Sequence, residues 1–198
     1  MVRRLTFIVL LAVCAACAPV PQHRYVADVP EDALVYASCP MNKHVPVGAL
    51  FTVDDVHATV GLFRAGDRDY VEVQFEVPPG KTLALQSGVL KLTRGSVTKD
   101  SVIPGVGIGN YRIEAWYSTD PAVKRGMLPV TAPMIGGTVG SGALISGKNY
   151  WLATYVDAAK ADDVWITLPA FTVNGTPERI EPIHFKRRLI TIIAMINC

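Results

Sequence analysis

Tyr70-Val71-Glu72-Val73-Gln74-Phe75-Glu76-Val77 decides the fold. Val71, Val73, Phe75 and Val77 alternate with Glu72, Gln74 and Glu76. A period of two puts the apolar side chains on one face of an extended strand and the polar ones on the other. A strand buried on one side and wet on the other belongs to an antiparallel sheet that covers a core with a single face. The same alternation returns more weakly at Leu83 and Leu85 and at Leu90 and Leu92, after the turn signal Pro78-Pro79-Gly80. Val56–Phe63, Arg112–Tyr117 and Tyr150–Val156 are further strand candidates, each bounded by Gly, Pro, Asn or Asp.

A second block runs from Val164 to Phe185. Val164, Ile166 and Leu168 alternate with Trp165 and Thr167, and Phe171 and Val173 lead into Asn174-Gly175. Asn-Gly accepts positive φ at both central positions of a type I′ turn, so a reversal is predicted there. The return limb is read as Ile180–Lys186, with Lys186-Arg187-Arg188 as a solvated turn or a contact for anionic headgroups. Leu189–Ile196, seven apolar residues and one Thr, reads as a buried strand. No segment sustains a 3.6 period. Roughly six to nine short strands closed by turns predict an all-β chain, an antiparallel β-sandwich of immunoglobulin-like character, with a β-barrel as the alternative.

The N-terminus carries a different pattern. Arg3 and Arg4 precede fourteen uncharged residues, Leu5–Ala18, ending in small residues around Cys17. As a helix that run rises only about 21 Å, short of a bilayer core, so a cleaved export signal is expected instead of a span. The cut region resembles the lipobox of bacterial lipoproteins, in which small residues precede a cysteine that becomes the acylated N-terminus. Cys14 has Leu11 three positions upstream but Val13 beside the cut, whereas Cys17 follows Ala15 and Ala16. The resemblance favours lipidation of Cys17, by a diacylglyceryl group and a further palmitate-type chain, and no Asp follows that cysteine, which implies the outer membrane. Ordinary cleavage after Ala18 is the competing reading. The expected organisation is a signal peptide over residues 1–16, a lipid-anchored spacer with Pro19, Pro21 and Pro30 over 17–32, and one β-sandwich domain over 33–198.

Removing residues 1–16 takes away two arginines and no acid, leaving 17 basic and 17 acidic residues. That balance gives no electrostatic reason to expect nucleic acid as a partner. With Cys14 removed and Cys17 acylated, Cys39 and Cys198 remain as a possible disulfide in an oxidising compartment. The loop it closes would be nearly the whole domain, worth on the order of 5 kcal/mol by chain entropy.

Catalytic patterns are incomplete. Gly142–Asn149 approaches a P-loop, but Asn149 stands where magnesium chemistry needs a hydroxyl. His23, His44, His57 and His184 show no metal spacing, and no metal or other cofactor is expected. His57, after Asp54 and Asp55, could be a general base or merely a hydrogen-bonded residue at a strand start. Asp67 with Asp69, and Asp157 with Asp162 and Asp163, could be calcium loops or solvated turns. The more informative residue is Trp165, which must point away from the core if Val164 and Ile166 point into it. Either a second layer covers it, or it forms a docking surface with Tyr155 or Trp116. The expected function is therefore a non-enzymatic outer-membrane lipoprotein, tethered to the membrane by its lipid, whose sandwich binds another envelope component, protein or glycan. The alternatives are an envelope hydrolase or polysaccharide-acting protein using His57, and a subunit of a secretion or surface-fibre assembly offering a strand edge.

Overall fold

A computed structural model of the chain describes residues 19–65, 68–103, 105–109, 115–118, 134–135, 138–139, 148–158 and 161–193. Its first half holds β1 (Pro19–Ala27), β2 (Leu34–Tyr36), β3 (Pro46–Val53), β4 (Val56–Ala65), β5 (Arg68–Val77), β6 (Leu83–Leu85), β7 (Val89–Arg94) and β8 (Val97–Val102). Then come β9 (Gly105–Gly109), β10 (Ala115–Ser118), β11 (Met134–Ile135), β12 (Thr138–Val139), β13 (Lys148–Val156), β14 (Asp163–Thr167), β15 (Phe171–Val173), β16 (Thr176–Glu178) and β17 (Ile183–Ile193). Among the described residues the helical structure is limited to two single turns of 3-10 type, Glu31–Ala33 and Pro40–Asn42.

Two antiparallel sheets form the body. One has the order β1-β17-β14-β7-β8 and the other β10-β9-β13-β5-β4-β3-β2, and none of the sheets described closes into a barrel. Their inner faces share one core: Val60, Val71, Val73 and Phe75 from one layer meet Leu92, Val164, Ile166 and Phe185 from the other. A three-stranded sheet, β16-β15-β6, joins this core, with Phe171 edge-on to Phe75 at 5.6 Å. The β8 and β13 margins are tied by the Thr154 hydroxyl donating to the Val102 carbonyl at 2.7 Å, and by Lys99 and Arg94 reaching Asp157. The all-β antiparallel sandwich expected from Tyr70–Val77 is thus the architecture of the chain.

The reversal expected at Asn174-Gly175 joins β15 to β16, with φ of 51° and 81°. Three expectations need correction. From Pro19 to Ala27 the expected spacer is instead β1, paired with β17 from Pro19↔Ile193 to Ala27↔Phe185, with Tyr25, Val26 and Ala27 buried. Its prolines are compatible with the ladder because N–H groups alternate in direction along a strand. The Asp28 N–H, just past the strand, donates to the His184 carbonyl, so even-numbered residues face β17 and Pro19 and Pro21 lack a donor only on the open edge. The return limb from Asn174-Gly175 is β16, earlier than Ile180. Lys186-Arg187-Arg188 is no turn but the middle of β17, and Leu189, expected to be buried, is 64% exposed. The reason is length: β14 pairs with β17 only from Ile183 to Lys186, opposite its own first residue Asp163, while β17 and β1 continue together from Arg187 to Ile193 as a two-stranded ribbon beyond the core.

Beyond the reach of β14 the loop before β3 covers the edge of β17. The Asn42 side-chain amide donates to the Ile193 carbonyl at 3.0 Å and accepts from the Ile193 N–H at 2.9 Å, imitating a paired strand. His44 Nε2 meets the Thr191 carbonyl at 3.0 Å. Residues two apart present their backbone groups to the same edge, so the two side chains act in series.

Candidate functional site

β14 is the middle strand of the five-stranded sheet, and Trp165 points outward from it because Val164 and Ile166 fill the core. The register sets its neighbours. Thr98 lies opposite Thr93, Thr93 opposite Trp165, and Trp165 opposite His184. With Asp28 beyond His184, the five form one row across the sheet, about 19 Å long at the usual strand spacing. The threonine hydroxyls are bonded to each other at 2.9 Å. The Trp165 and His184 rings are stacked, centroids 4.4 Å apart and planes 3° from parallel.

The imidazole is clamped at both nitrogens. Nε2 is 2.8 Å from Asp163 Oδ1 and Nδ1 is 3.3 Å from Asp28 Oδ2, and Asp28 is also bonded by Lys186 Nζ at 2.6 Å. An imidazolium donates to both carboxylates, a neutral ring to one. The Lys186 hydrogen bond, with a smaller contribution from His184, holds the Asp28 carboxyl below the ordinary carboxylate range. A clamped imidazole cannot swing away, so it is a fixed wall against one face of the indole. The neighbour on the other side is Thr93, too small to cover the second face, and Trp165 remains 42% exposed. Past Asp28 the row opens into a groove of about 410 Å³ whose lining includes Val29, Phe51, Val53, Ile180 and Glu181.

A second concavity, of about 640 Å³, lies between the β1–β17 ribbon and β3 to β5. Arg24, Arg64 and Arg187 line it with His23 and the stacked pair Phe63 and Tyr70, and none of its lining residues is acidic. Behind it Asp69, 4% exposed, faces Arg64 at 3.5 Å, too long for a good hydrogen bond. Burial raises the Asp69 carboxyl above its usual range, against the pull of Arg64. The Tyr25 hydroxyl and Arg24 Nε are buried with no hydrogen-bond partner among the described residues.

The expected docking surface divides. Trp165 is on the outer face of the five-stranded sheet, whereas Tyr155 and Trp116 belong to β13 and β10 of the seven-stranded one. The chain changes layer between Val156 and Asp163, and the pattern of alternation carries no mark of that crossing. Tyr155 is exposed beside Tyr70 with the Arg68 guanidinium 3.9 Å over its ring, while the Trp116 side chain lies outside the described residues. His57 is bonded through Nδ1 to the Thr52 hydroxyl at 3.0 Å and lines neither concavity. Asp157 and Asp163 are engaged by cations and His184, respectively, and no group of three or more potential metal ligands occurs among the described residues. Lys148 and Asn149 begin strand β13, where a P-loop would need a helix. Cys17, Cys198, Asp67 and Gly142–Gly147 lie outside the described residues. Beyond its lack of metal spacing, His184 gave no functional signal in the sequence, because its partners, Asp28 on one side and Asp163 and Trp165 of β14 on the other, are distant from it along the chain. No protein-family model matches the chain, nor does any curated protein or solved structure, so its functional reading rests on its own residues.

Proposed function

We propose that the chain is a non-catalytic outer-membrane lipoprotein, acylated at Cys17, whose five-stranded sheet binds an envelope glycan through the row centred on Trp165. The observation that carries the binding reading is the indole itself, backed on one side by a clamped imidazole and open on the other. A sugar ring presents a C–H face to stack on an indole and a rim of hydroxyls for flanking groups. Thr93, Thr98, Asp28 and Asp163 supply those groups, and Trp165 is the one large exposed apolar side chain in the row. A protein partner would need a broader apolar centre. A Cys39–Cys198 disulfide belongs to the same proposal. It is supported by the bonds that seat the loop after Cys39 on Ile193, five residues before Cys198.

Two measurements test this reading. Mass spectrometry of the native protein should find the mature chain beginning at an acylated Cys17, with acylation lost in Cys17→Ser; an unmodified start elsewhere refutes the anchor. Co-sedimentation with purified peptidoglycan should bring down the wild type and at least tenfold less Trp165→Ala, a stacking residue at the centre of a contact. Equal sedimentation of both refutes the glycan row, and cross-linking to a single envelope protein through position 165 would replace glycan by protein.

A further inference from the structure

We infer that the cleft between the β1–β17 ribbon and β3 to β5 is a binding site for the phosphate of an anionic phospholipid headgroup. Its walls bring together Arg24 from β1, Arg64 from β4 and Arg187 from β17, residues far apart in the chain, with no acidic residue in the lining. Guanidinium groups match phosphate oxygens in planar, paired hydrogen bonds. Two further donors in the wall, the Tyr25 hydroxyl and Arg24 Nε, are buried without a partner among the described residues, an arrangement that costs stability until an acceptor arrives. At about 640 Å³ the space exceeds what a bare phosphate fills, and its remaining surface is apolar or aromatic: Val47, Leu62, Phe63 and Tyr70.

Position selects a lipid over a soluble phosphate. The cleft opens beside the ribbon that ends at Pro19, and that ribbon exposes Leu189 and Val20 with Arg188 beside them. From Ala33 to Val53 the chain has no acidic residue, nor has it any from Pro19 to Ala27 or from Ile183 to Ile193. These three segments make up the ribbon, its covering loop and β3. A basic, partly apolar end of this kind suits an anionic bilayer surface. The choice of lipid rests on the proposed anchor at Cys17, which would hold this end against the membrane; the cleft chemistry does not.

The test is a calorimetric titration of the native protein, extracted in a neutral detergent, with soluble short-chain phosphatidylglycerol, short-chain phosphatidylcholine and inorganic phosphate. Phosphatidylglycerol should bind saturably and at least tenfold more tightly than either of the others. Each arginine near a charged headgroup is worth about fivefold, so Arg24→Gln with Arg187→Gln should weaken binding about twenty-five-fold. Arg179→Gln, whose guanidinium pairs with Glu181 away from the cleft, should leave it unchanged. Should the double variant fail to fold by its near-ultraviolet circular dichroism, Arg24→Gln alone carries the test with a fivefold loss. Equal affinity for the two lipids, or wild-type binding by the substituted protein, overturns the site; phosphate binding as tightly as phosphatidylglycerol overturns the lipid assignment. Absence of lipid mass on the wild type would remove the anchor while the titration still reads the cleft.

Discussion

At Asp54 and Asp55 the backbone takes φ of 44° and 65°, two successive left-handed residues without a glycine, and so reverses β3 into β4. Lys81 gathers both carboxylates, at 2.8 and 3.6 Å. The left-handed region costs an L-residue roughly 1–2 kcal/mol, less for Asp, and the ion pair to exposed Asp55 returns little. Asp55→Gly should therefore raise stability by about 0.5–1 kcal/mol, seen as a higher urea midpoint at unchanged slope. Gly61 shows the opposite demand. A Cβ there would lie 2.4 Å from the Phe63 ring and 2.7 Å from the Val47 carbonyl, so Gly61→Ala should cost about 1–3 kcal/mol and loosen the stack of Phe63 on Tyr70, measured by denaturation. Residue type announced the turn at Asn174-Gly175 but not the one at Asp54-Asp55, because Asp tolerates positive φ without being diagnostic of it. Trp165 was legible as an outward side chain for the converse reason: a single strand with a strict period fixes which way each residue points.

Strands declared themselves where one face is buried and stayed silent elsewhere. β5, with Val71, Val73, Phe75 and Val77 buried, and β14, with Val164 and Ile166 buried, alternate cleanly. β8 has no buried residue at all, and β1 is exposed along its first five, so hydrophobic period cannot find them. β17 misled for another reason: three consecutive cations look like a turn, yet Lys186 bonds Asp28 on the outer face while Arg187 lines the cleft. The side-chain cap on β17 is likewise invisible until Asn42 and Ile193 are seen together. Its removal is predictable: Asn42→Ala strips partners from the Ile193 N–H and carbonyl. Faster amide exchange at Ile193 and a loss of about 1–2 kcal/mol are expected, with the exchange rate as the direct check.

The whole molecule stores its ionisable groups unevenly. Burial raises the carboxyls of Asp69 and Glu72 above the usual carboxylate range, while the hydrogen bond from Lys186 lowers Asp28. For a raised carboxyl the folded state binds the extra proton, so its contribution is complete below the unfolded value and is lost as pH rises through the folded one. Asp28 contributes above its unfolded value and is lost as pH falls through its lower folded value. Acidifying from neutral toward pH of about 4 should thus strengthen the fold through Asp69 and Glu72 before Asp28 weakens it, and Asp69→Asn should flatten that first rise in a series of urea midpoints. Fold class could be read because a sandwich is the sum of such half-buried strands. The row centred on Trp165 could not, since Thr98, Thr93, Trp165, His184 and Asp28 meet only through the register of β7, β8, β14 and β17.

Pairing of Pro19 with Ile193 also sets a leash. Only Ala18 stands between Cys17 and the first paired position, two residue steps that span about 7 Å at most. Were the acyl anchor proposed at Cys17 in place, a globule on so short a stalk would not patrol the space beneath the membrane. Whatever meets the indole would then have to travel to the bilayer or already cross that gap, and lengthening the stalk by inserted Gly-Ser repeats would give the anchored protein access to targets that the shorter stalk keeps out of reach.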